Sequence, residues 1–503
     1  MHLAKYLVAA LAGVAYCLGF SPFEQLWLPL LAIALLFYLA NDVALKPAWL
    51  LLWFGLGKYG FGASWVYVSI HVYGNAAPLL AGFLVVLFVI VLAVLFAWPL
   101  GAAYGYLRDS QQRRFDWRGA VLFAGLFTAL EWVSTWLFTG FPWLLLGNAA
   151  LQTPWSSLVP VFGVLGASWW LCLSATLLCV AVVSKHWRLG LIGLLPTCLA
   201  LGLSQVRWVE PGPSVSVALV QGNLDQRVKW QRDQQQFNVQ RHVNLSEPHW
   251  DAQLIVWPEA AITVLQHQAE AVLEALAGRA IQTDTSLVLG IPGIEWLDTQ
   301  GEDSPRYEFK NLAIAVGTAR GRYAKEHLVP FGEYVPLAGV LRGLIEFFDL
   351  PMSSSTPGAS DQPNLVISAG QMAMAICYEV AYPETMRRKA RTAAVLATIS
   401  NDTWFGASIG PLQHLQIARA RALENGRWML RSTNNGVTAI IDHQGRLQAQ
   451  LPQFEADVLR GSFQVMSGRT PYNRWGHWPV LLLLVLGVLL GAGRQGLRQV
   501  SGR

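Results

Sequence analysis

The feature that most constrains this chain is a series of apolar runs, several of which match or approach the roughly 17–25 helical residues that cross ~30 Å of hydrocarbon. Eight are read here, at 6–21, 26–41, 49–70, 77–106, 119–139, 159–184, 188–205 and 478–493. The longest, 77–106, contains no Asp, Glu, Lys or Arg. The first two and the last are short, and Pro22, Pro29 and Pro196 soften some boundaries. Lys5 ahead of the first run has the look of a signal peptide, but no small-x-small cleavage site follows and further runs come at once, so a retained span is expected. A chain of this pattern is not one water-soluble globule.

Charge divides the sequence in the same way. Of 36 Lys/Arg and 31 Asp/Glu, residues 206–477 hold 24 and 26, which leaves 12 and 5 for the other 231 residues. The net charge of +5 therefore combines −2 from an ordinary, soluble-looking segment with +7 from an apolar remainder. No nucleic-acid partner is expected, because the basic excess lies outside the part that can fold in water. Lys5, Lys46, Arg108, Arg113, Arg114, Arg118, Lys185, Arg188, Arg494, Arg498 and Arg503 fall on one side of the expected spans, and the loops at 22–25, 71–76 and 140–158 carry no Lys or Arg. Basic loops stay cytoplasmic, so both termini are expected inside and 206–477 on the far side of the membrane. The expected organisation is a seven-span region (1–205), an exported domain (206–477), and a final span with a cytoplasmic tail (478–503). Lys58 and Glu131 fall within spans, where charge marks either function or interhelical pairing. Trp143, Trp155, Trp475 and Trp478 lie near expected interfaces, as aromatic belts require.

Cys17, Cys172, Cys179 and Cys198 sit in apolar runs and read as small core hydrophobes. Cys377 is the single cysteine of the exported segment. It has no partner there for a disulfide, and a lone thiol in an oxidising compartment has to be buried or used.

Within that segment, strand-like runs at 214–221, 254–257, 287–291, 312–316, 372–377, 394–400, 428–432 and 437–441 alternate with helical stretches at 231–245, 267–282, 383–393 and 413–425. This order predicts an α/β sandwich of about 250 residues. No glycine-rich phosphate loop, dinucleotide fingerprint or metal-spaced Cys/His cluster is present, so no cofactor and no metal are expected. Three residues stand at or just past strand ends. Glu259 follows LIVWP, Lys325 precedes Glu333 in GRYAKEHLVPFGEYVP, and Cys377 closes MAMAIC ahead of Tyr378 and Glu379. Each alone reads more readily as an exposed acid, a solvated lysine or a buried thiol than as a catalytic group. Together they supply a nucleophile, a base to take its proton, and a cation that with the Tyr378 backbone N–H can hold an oxyanion.

The order Glu, Lys, Cys resembles the nitrilase (carbon–nitrogen hydrolase) superfamily. HLVPFGEYVP at 327–336, ICYE at 376–379, SNDTWFG at 400–406, GPLQH at 410–414, ARARALENGR at 418–427 and RSTNNGVTAIID at 431–442 resemble, more narrowly, the apolipoprotein N-acyltransferase family. LGFSPF at 18–23, EW at 131–132 and GFPW at 140–143 agree with it in the apolar half. The resemblance implies a polytopic membrane protein of the bacterial inner membrane, with a periplasmic nitrilase-like αββα domain and a monomeric state. It implies acyl transfer from a phospholipid, typically phosphatidylethanolamine, through a cysteine thioester to the α-amine of a diacylated apolipoprotein. By the same resemblance Glu259 is the general base, Lys325 orients it and stabilises the oxyanion, and Cys377 is acylated. Glu333, Tyr378 and Glu379 support the site, Trp230 matches a tryptophan on a mobile loop, and Asn311 matches a further site residue, although Lys310 before it departs from the pattern.

In 333–354, Leu341, Leu344, Ile345 and Phe348 recur at helical spacing, which fits either a core-facing helix or one dipping into the outer leaflet. Two other readings remain open on the residues alone. A membrane-tethered amidase would resolve the same thioester with water. A transporter carrying an extra domain would show more interior charge and paired broken helices than these runs do.

Overall fold

The computed structural model describes residues 2–108, 115–297, 306–336 and 354–492. It divides into two units, one of Met1–Tyr67, Leu79–Trp208 and Thr470–Arg503, the other of Val68–Pro78 and Val209–Arg469. The segment expected to carry Leu341 to Phe348 lies outside the described residues.

The first unit is helical, with main helices His2–Cys17, Trp27–Ala40, Pro47–Gly62, Pro78–Phe96, Trp98–Leu107, Trp117–Val133, Val159–Ser184, Trp187–Leu203 and Trp478–Gly491. Among the described residues two helical segments, Pro78–Leu107 and Pro154–Ser184, are long and apolar enough to cross a membrane, and four shorter apolar helices accompany them. Only 28% of the most apolar window of Pro78–Leu107 is buried, against 72% in Pro154–Ser184. Leu79, Phe83 and Val86 point outward on the former, a surface that suits hydrocarbon better than water.

Small residues let these helices touch. A Cβ at Gly13 would fall 2.1 Å from the Phe54 carbonyl, and one at Gly57 would fall 1.9 Å from that of Ala10, so helices His2–Cys17 and Pro47–Gly62 meet backbone to backbone. The two interior charges also find their places. Glu131 Oε1 accepts from the Leu146 N–H (2.8 Å) and the Tyr16 hydroxyl (3.2 Å), while Tyr16 also donates to the Leu144 carbonyl (3.0 Å). These bonds serve the non-helical backbone after Gly140, where apolar surroundings offer no water to do so. Lys58 Nζ lies 4.7 Å from the Tyr16 ring centroid, a cation–π contact.

The second unit is built on two six-stranded sheets. One has the order β12-β1-β2-β3-β4-β5, with β1 Val209–Gln221, β2 Leu254–Val256, β3 Ser286–Trp296, β4 Tyr307–Gly317, β5 Arg322–Ala324 and β12 Asp457–Gly468. The other has the order β11-β10-β9-β8-β7-β6, with β6 Leu365–Ile367, β7 Gly370–Ile376, β8 Val395–Ser400, β9 Met429–Thr433, β10 Ala439–Ile441 and β11 Leu447–Gln450. Each sheet carries three neighbouring parallel strands, β1-β2-β3 and β7-β8-β9, flanked by antiparallel ones.

The period of two in β1 explains the layering. Val217 and Leu219 join Met374, Ile376, Ala397 and Leu430 between the sheets, whereas Ala218 and Val220 join Ile255, Leu287 and Leu289 on the other face. Helices Gln235–Ser246 and Glu270–Gln282 supply Val239, Val243, Leu276 and Ala280 to that second layer. Strands buried on both faces carry no polar alternation, which is why they read as continuous apolar runs. The arrangement is the expected α/β sandwich.

Candidate functional site

The ends of strands β2, β5 and β7 bring Glu259, Lys325 and Cys377 into one place. Glu259 follows β2, where the backbone turns through Ala260 at φ 48°. The turn runs so close to β3 that a Cβ at Gly290 would sit 2.6 Å from both the Pro258 carbonyl and the Ala260 nitrogen. Asn311 lies on β4 and its carbonyl accepts from the Lys325 N–H (2.9 Å), so the β4–β5 pairing delivers amide and ammonium side by side.

Glu259 is held from two directions. Its Oε1 accepts from Asn311 Nδ2 at 2.7 Å, and its Oε2 accepts from the Asn401 N–H, just beyond β8, at 2.8 Å. Lys325 Nζ lies 3.7 Å from Glu259 Oε1 and 2.7 Å from Glu333 Oε2. Glu333 also accepts from Asn311 Nδ2 (3.1 Å) and the Val329 N–H (2.8 Å). One ammonium and two carboxylates thus share a largely buried cluster.

Cys377 directly follows β7 at φ 55°, left-handed for a residue with a Cβ. Its thiol is buried, and both Glu259 and Lys325 act on it electrostatically. Burial, then Glu259, push the thiol well above its usual value, while Lys325 and the Ser400 hydroxyl pull the other way. The thiol is therefore protonated at neutral pH. Burial, opposed by Lys325 and assisted by Glu333, raises Glu259 above the ordinary carboxylate range. Burial works against the charge on Lys325, but Glu333 and Glu259 outweigh it and keep the side chain cationic. A hydrogen-bonded carboxylate with a raised pKa beside a protonated thiol is a base placed to act as the thiol attacks.

Glu379 sits behind this cluster, fully buried. It accepts from the Tyr323 hydroxyl (2.7 Å) and the N–H groups of Glu326 (2.5 Å) and His327 (3.0 Å) with Oε1, and from the Ile376 N–H (2.6 Å) with Oε2. One carboxylate thereby ties the backbone after Lys325 to the backbone before Cys377. Tyr378 packs edge-on against Tyr382, with ring centroids 5.4 Å apart. Trp230 is half-buried in the turn before helix Gln235–Ser246.

The neighbour of Trp230 is a residue the sequence reading passed over. Lys229 is 1% exposed and its Nζ donates to the Glu259 carbonyl at 3.2 Å, with burial lowering its pKa to about 8. Asn401 and Ser400 were likewise unassigned, although both belong to the SNDTWFG stretch. The loop Val68–Pro78 also belongs to this unit, where Ser69 Oγ donates to the Trp404 carbonyl (2.8 Å) and Tyr73 packs edge-on against the Trp404 ring (6.0 Å). Among the described residues no group of His, Cys, Asp and Glu has the arrangement of a metal site.

Comparison with known proteins agrees with this geometry. The carbon-nitrogen hydrolase family pattern matches residues 216–472, and the apolipoprotein N-acyltransferase N-terminal domain matches residues 12–177. An apolipoprotein N-acyltransferase of Pseudomonas aeruginosa is 43% identical, over 97% of this chain and 96% of its own. Those of Azotobacter vinelandii and Vibrio parahaemolyticus are 44% and 39% identical, over 96% and 97% of this chain and 94% and 97% of theirs. With both patterns matched and relatives aligned from end to end, the chain belongs to the apolipoprotein N-acyltransferase family.

Proposed function

We infer that this enzyme moves a fatty acyl chain from a phospholipid, through a thioester on Cys377, to the free α-amine of the diacylglyceryl-cysteine at an apolipoprotein N-terminus. In the first half, Glu259 takes the Cys377 proton as sulfur attacks an ester carbonyl of the donor. The oxyanion is held by the Lys325 ammonium and the Tyr378 backbone N–H. The C–O bond then breaks, Glu259 returns the proton to the departing oxygen, and lysophospholipid leaves. In the second half the lipoprotein amine attacks the thioester, Glu259 accepts an amine proton, and the thiolate is released and reprotonated. The products are an amide and free Cys377.

Glu333 and Asn311 hold Lys325 and Glu259 in register, Glu379 fixes the turn that carries the nucleophile, and Trp230 contacts substrate from the adjoining turn. The donor is phosphatidylethanolamine and the enzyme is a monomer of the bacterial inner membrane. We further propose about eight spans, seven in 1–205 and one in 478–503, with both termini cytoplasmic and 206–477 periplasmic. The eleven basic residues on one side of the expected spans support that orientation.

The observation that carries the reading is the convergence of Glu259, Lys325, Glu333 and Cys377 on a chain whose other half is apolar. Hydrolysis would not need that half, whereas a lipid donor does. The test supplies phosphatidylethanolamine with a labelled acyl chain and a diacylated lipopeptide whose N-terminus is free or acetylated. Label is expected on the free lipopeptide alone, with one lysophospholipid formed per amide. Label released as free fatty acid irrespective of the amine would identify a hydrolase instead.

A further inference from the structure

A second set of polar groups lies against the backbone of Cys377, and the two-step reaction does not use it. Asp402, His414 and Arg431 are each at most 1% exposed. Asp402 follows β8, His414 lies on helix Gly410–Asn425, and Arg431 lies on β9, so three separate elements contribute to one cluster.

His414 Nε2 lies 3.1 Å from the backbone carbonyl of Cys377 itself. A carbonyl can only accept, so Nε2 carries the proton. On the other edge of the ring, Nδ1 lies 3.0 Å from Asp402 Oδ1 and 3.0 Å from Arg431 Nη2, a donor. Arg431 Nη2 also donates to Asp402 Oδ2 at 2.5 Å, and Ser400 Oγ donates to Asp402 Oδ1 at 2.5 Å. Phe405 packs edge-on against the imidazole at 5.8 Å. The ring is therefore fixed on both edges and on one face.

Cys377 needs such an anchor. A left-handed φ at a residue with a Cβ is strained and persists only where surroundings over-determine it. The Ile376 N–H is already held by Glu379, which fixes the backbone entering the turn. The His414 bond fixes the carbonyl leaving Cys377, and with it the peptide plane that carries the Tyr378 N–H. Rotation of that plane would swing the Tyr378 N–H relative to the thiol, so one bond sets the oxyanion donor against the nucleophile.

We propose that His414 is a positioning residue for acyl transfer, holding the Cys377–Tyr378 peptide in its reactive orientation through the Cys377 carbonyl, while Arg431, itself held by Asp402, donates to the other edge of the ring. The proposal rests on Cys377 being the acylated nucleophile.

The two edges of the ring can be separated by amide variants. His414→Gln puts an N–H near the position of Nε2, facing the Cys377 carbonyl. His414→Asn is one methylene shorter and puts its amide near Nδ1, facing Asp402. Full-length protein in detergent is mixed with phosphatidylethanolamine, and the acyl adduct on Cys377 is followed in time by intact mass. The adduct is expected to form in His414→Gln within about threefold of the wild-type rate, and about tenfold or more slowly in His414→Asn at unchanged half-saturating phospholipid. Wild-type rates in both variants, equal losses in both, or a faster Asn than Gln variant would each overturn the proposal. Should His414→Asn not accumulate, His414→Leu, which keeps the volume and loses both bonds, takes its place with the same expectation. Absence of any adduct on the wild-type protein would instead defeat the assignment of Cys377, which keeps the two failures distinct.

Discussion

Lys325 is shared unequally between two carboxylates, its ammonium 2.7 Å from Glu333 and 3.7 Å from Glu259. The nearer partner is not the proposed base. Glu333 takes most of the cation's attraction and adds its own negative charge beside Glu259, so Glu259 remains basic enough to remove a thiol proton. Activity that needs ionised Glu259 should therefore fail on acidification at a pH above the ordinary Glu value of 4.5. Glu333→Gln removes the neighbouring charge and should lower that midpoint while slowing acylation. The pH profile of adduct formation in the two proteins checks both directions, and an unmoved midpoint would contradict the coupling.

Lys325→Ala removes the cation that lowers the pKa of Glu259 and that, in the proposed mechanism, stabilises the oxyanion. Loss of one such donor costs on the order of 10²–10³ in rate. Acylation measured in a single turnover should fall by about that factor, whereas a loss of less than about threefold would remove Lys325 from the chemistry.

Lys229 predicts a stability effect with a definite sign. Its pKa falls from 10.5 in the unfolded chain to about 8 on burial. Between these values the unfolded chain binds more protons than the folded one, so this residue's contribution to stability rises with pH across that window. The difference corresponds to on the order of 3 kcal/mol of ionisation cost carried at neutral pH. Lys229→Met removes the cost along with the bond to the Glu259 carbonyl. Thermal midpoints should favour the variant most at pH 7, relative to wild type, and the advantage should shrink toward pH 10. A pH-independent difference would show that the buried amine does not titrate as described.

The proposed orientation is tested with single cysteines. Asn75 and Lys185 are both exposed and fall in loops on opposite sides of the expected spans. In intact spheroplasts a membrane-impermeant maleimide should label Asn75→Cys and spare Lys185→Cys until the membrane is opened. The reverse pattern would invert the topology.

The long central strands were legible because burial on both faces leaves continuous apolar runs, as in SVSVALVQ and MAMAIC. Strands β5, β6 and β11 span three or four residues and are partly exposed, so they lack the continuous apolar run that marks the equally short but fully buried β2 and β10. β12 is an edge strand whose exposed positions carry Asp457 and Ser462, which hides its period. Glu259, Lys325 and Cys377 were visible because each stands at or just past a strand end. The groups that hold them were not, since the Asn401 N–H reaches Glu259 across 142 positions and His414 reaches Cys377 across 37. Lys229 reads as a solvated lysine in the polar stretch DQRVKWQRD, and only the fold turns it inward. In the apolar half, the sequence marked Lys58 and Glu131 as interior charges, but their use depended on Tyr16 and Leu146 from other segments.

The central claim is that the acyl chain passes through sulfur at Cys377. Its most direct measurement is the intact mass of the purified protein after exposure to phosphatidylethanolamine without acceptor, with the modified residue located by fragmentation. The account predicts one fatty-acyl adduct on Cys377, absent from Cys377→Ala and lost when diacylated lipopeptide is added. An adduct that persists in Cys377→Ala, or lipopeptide acylated at full rate by that variant, would contradict it.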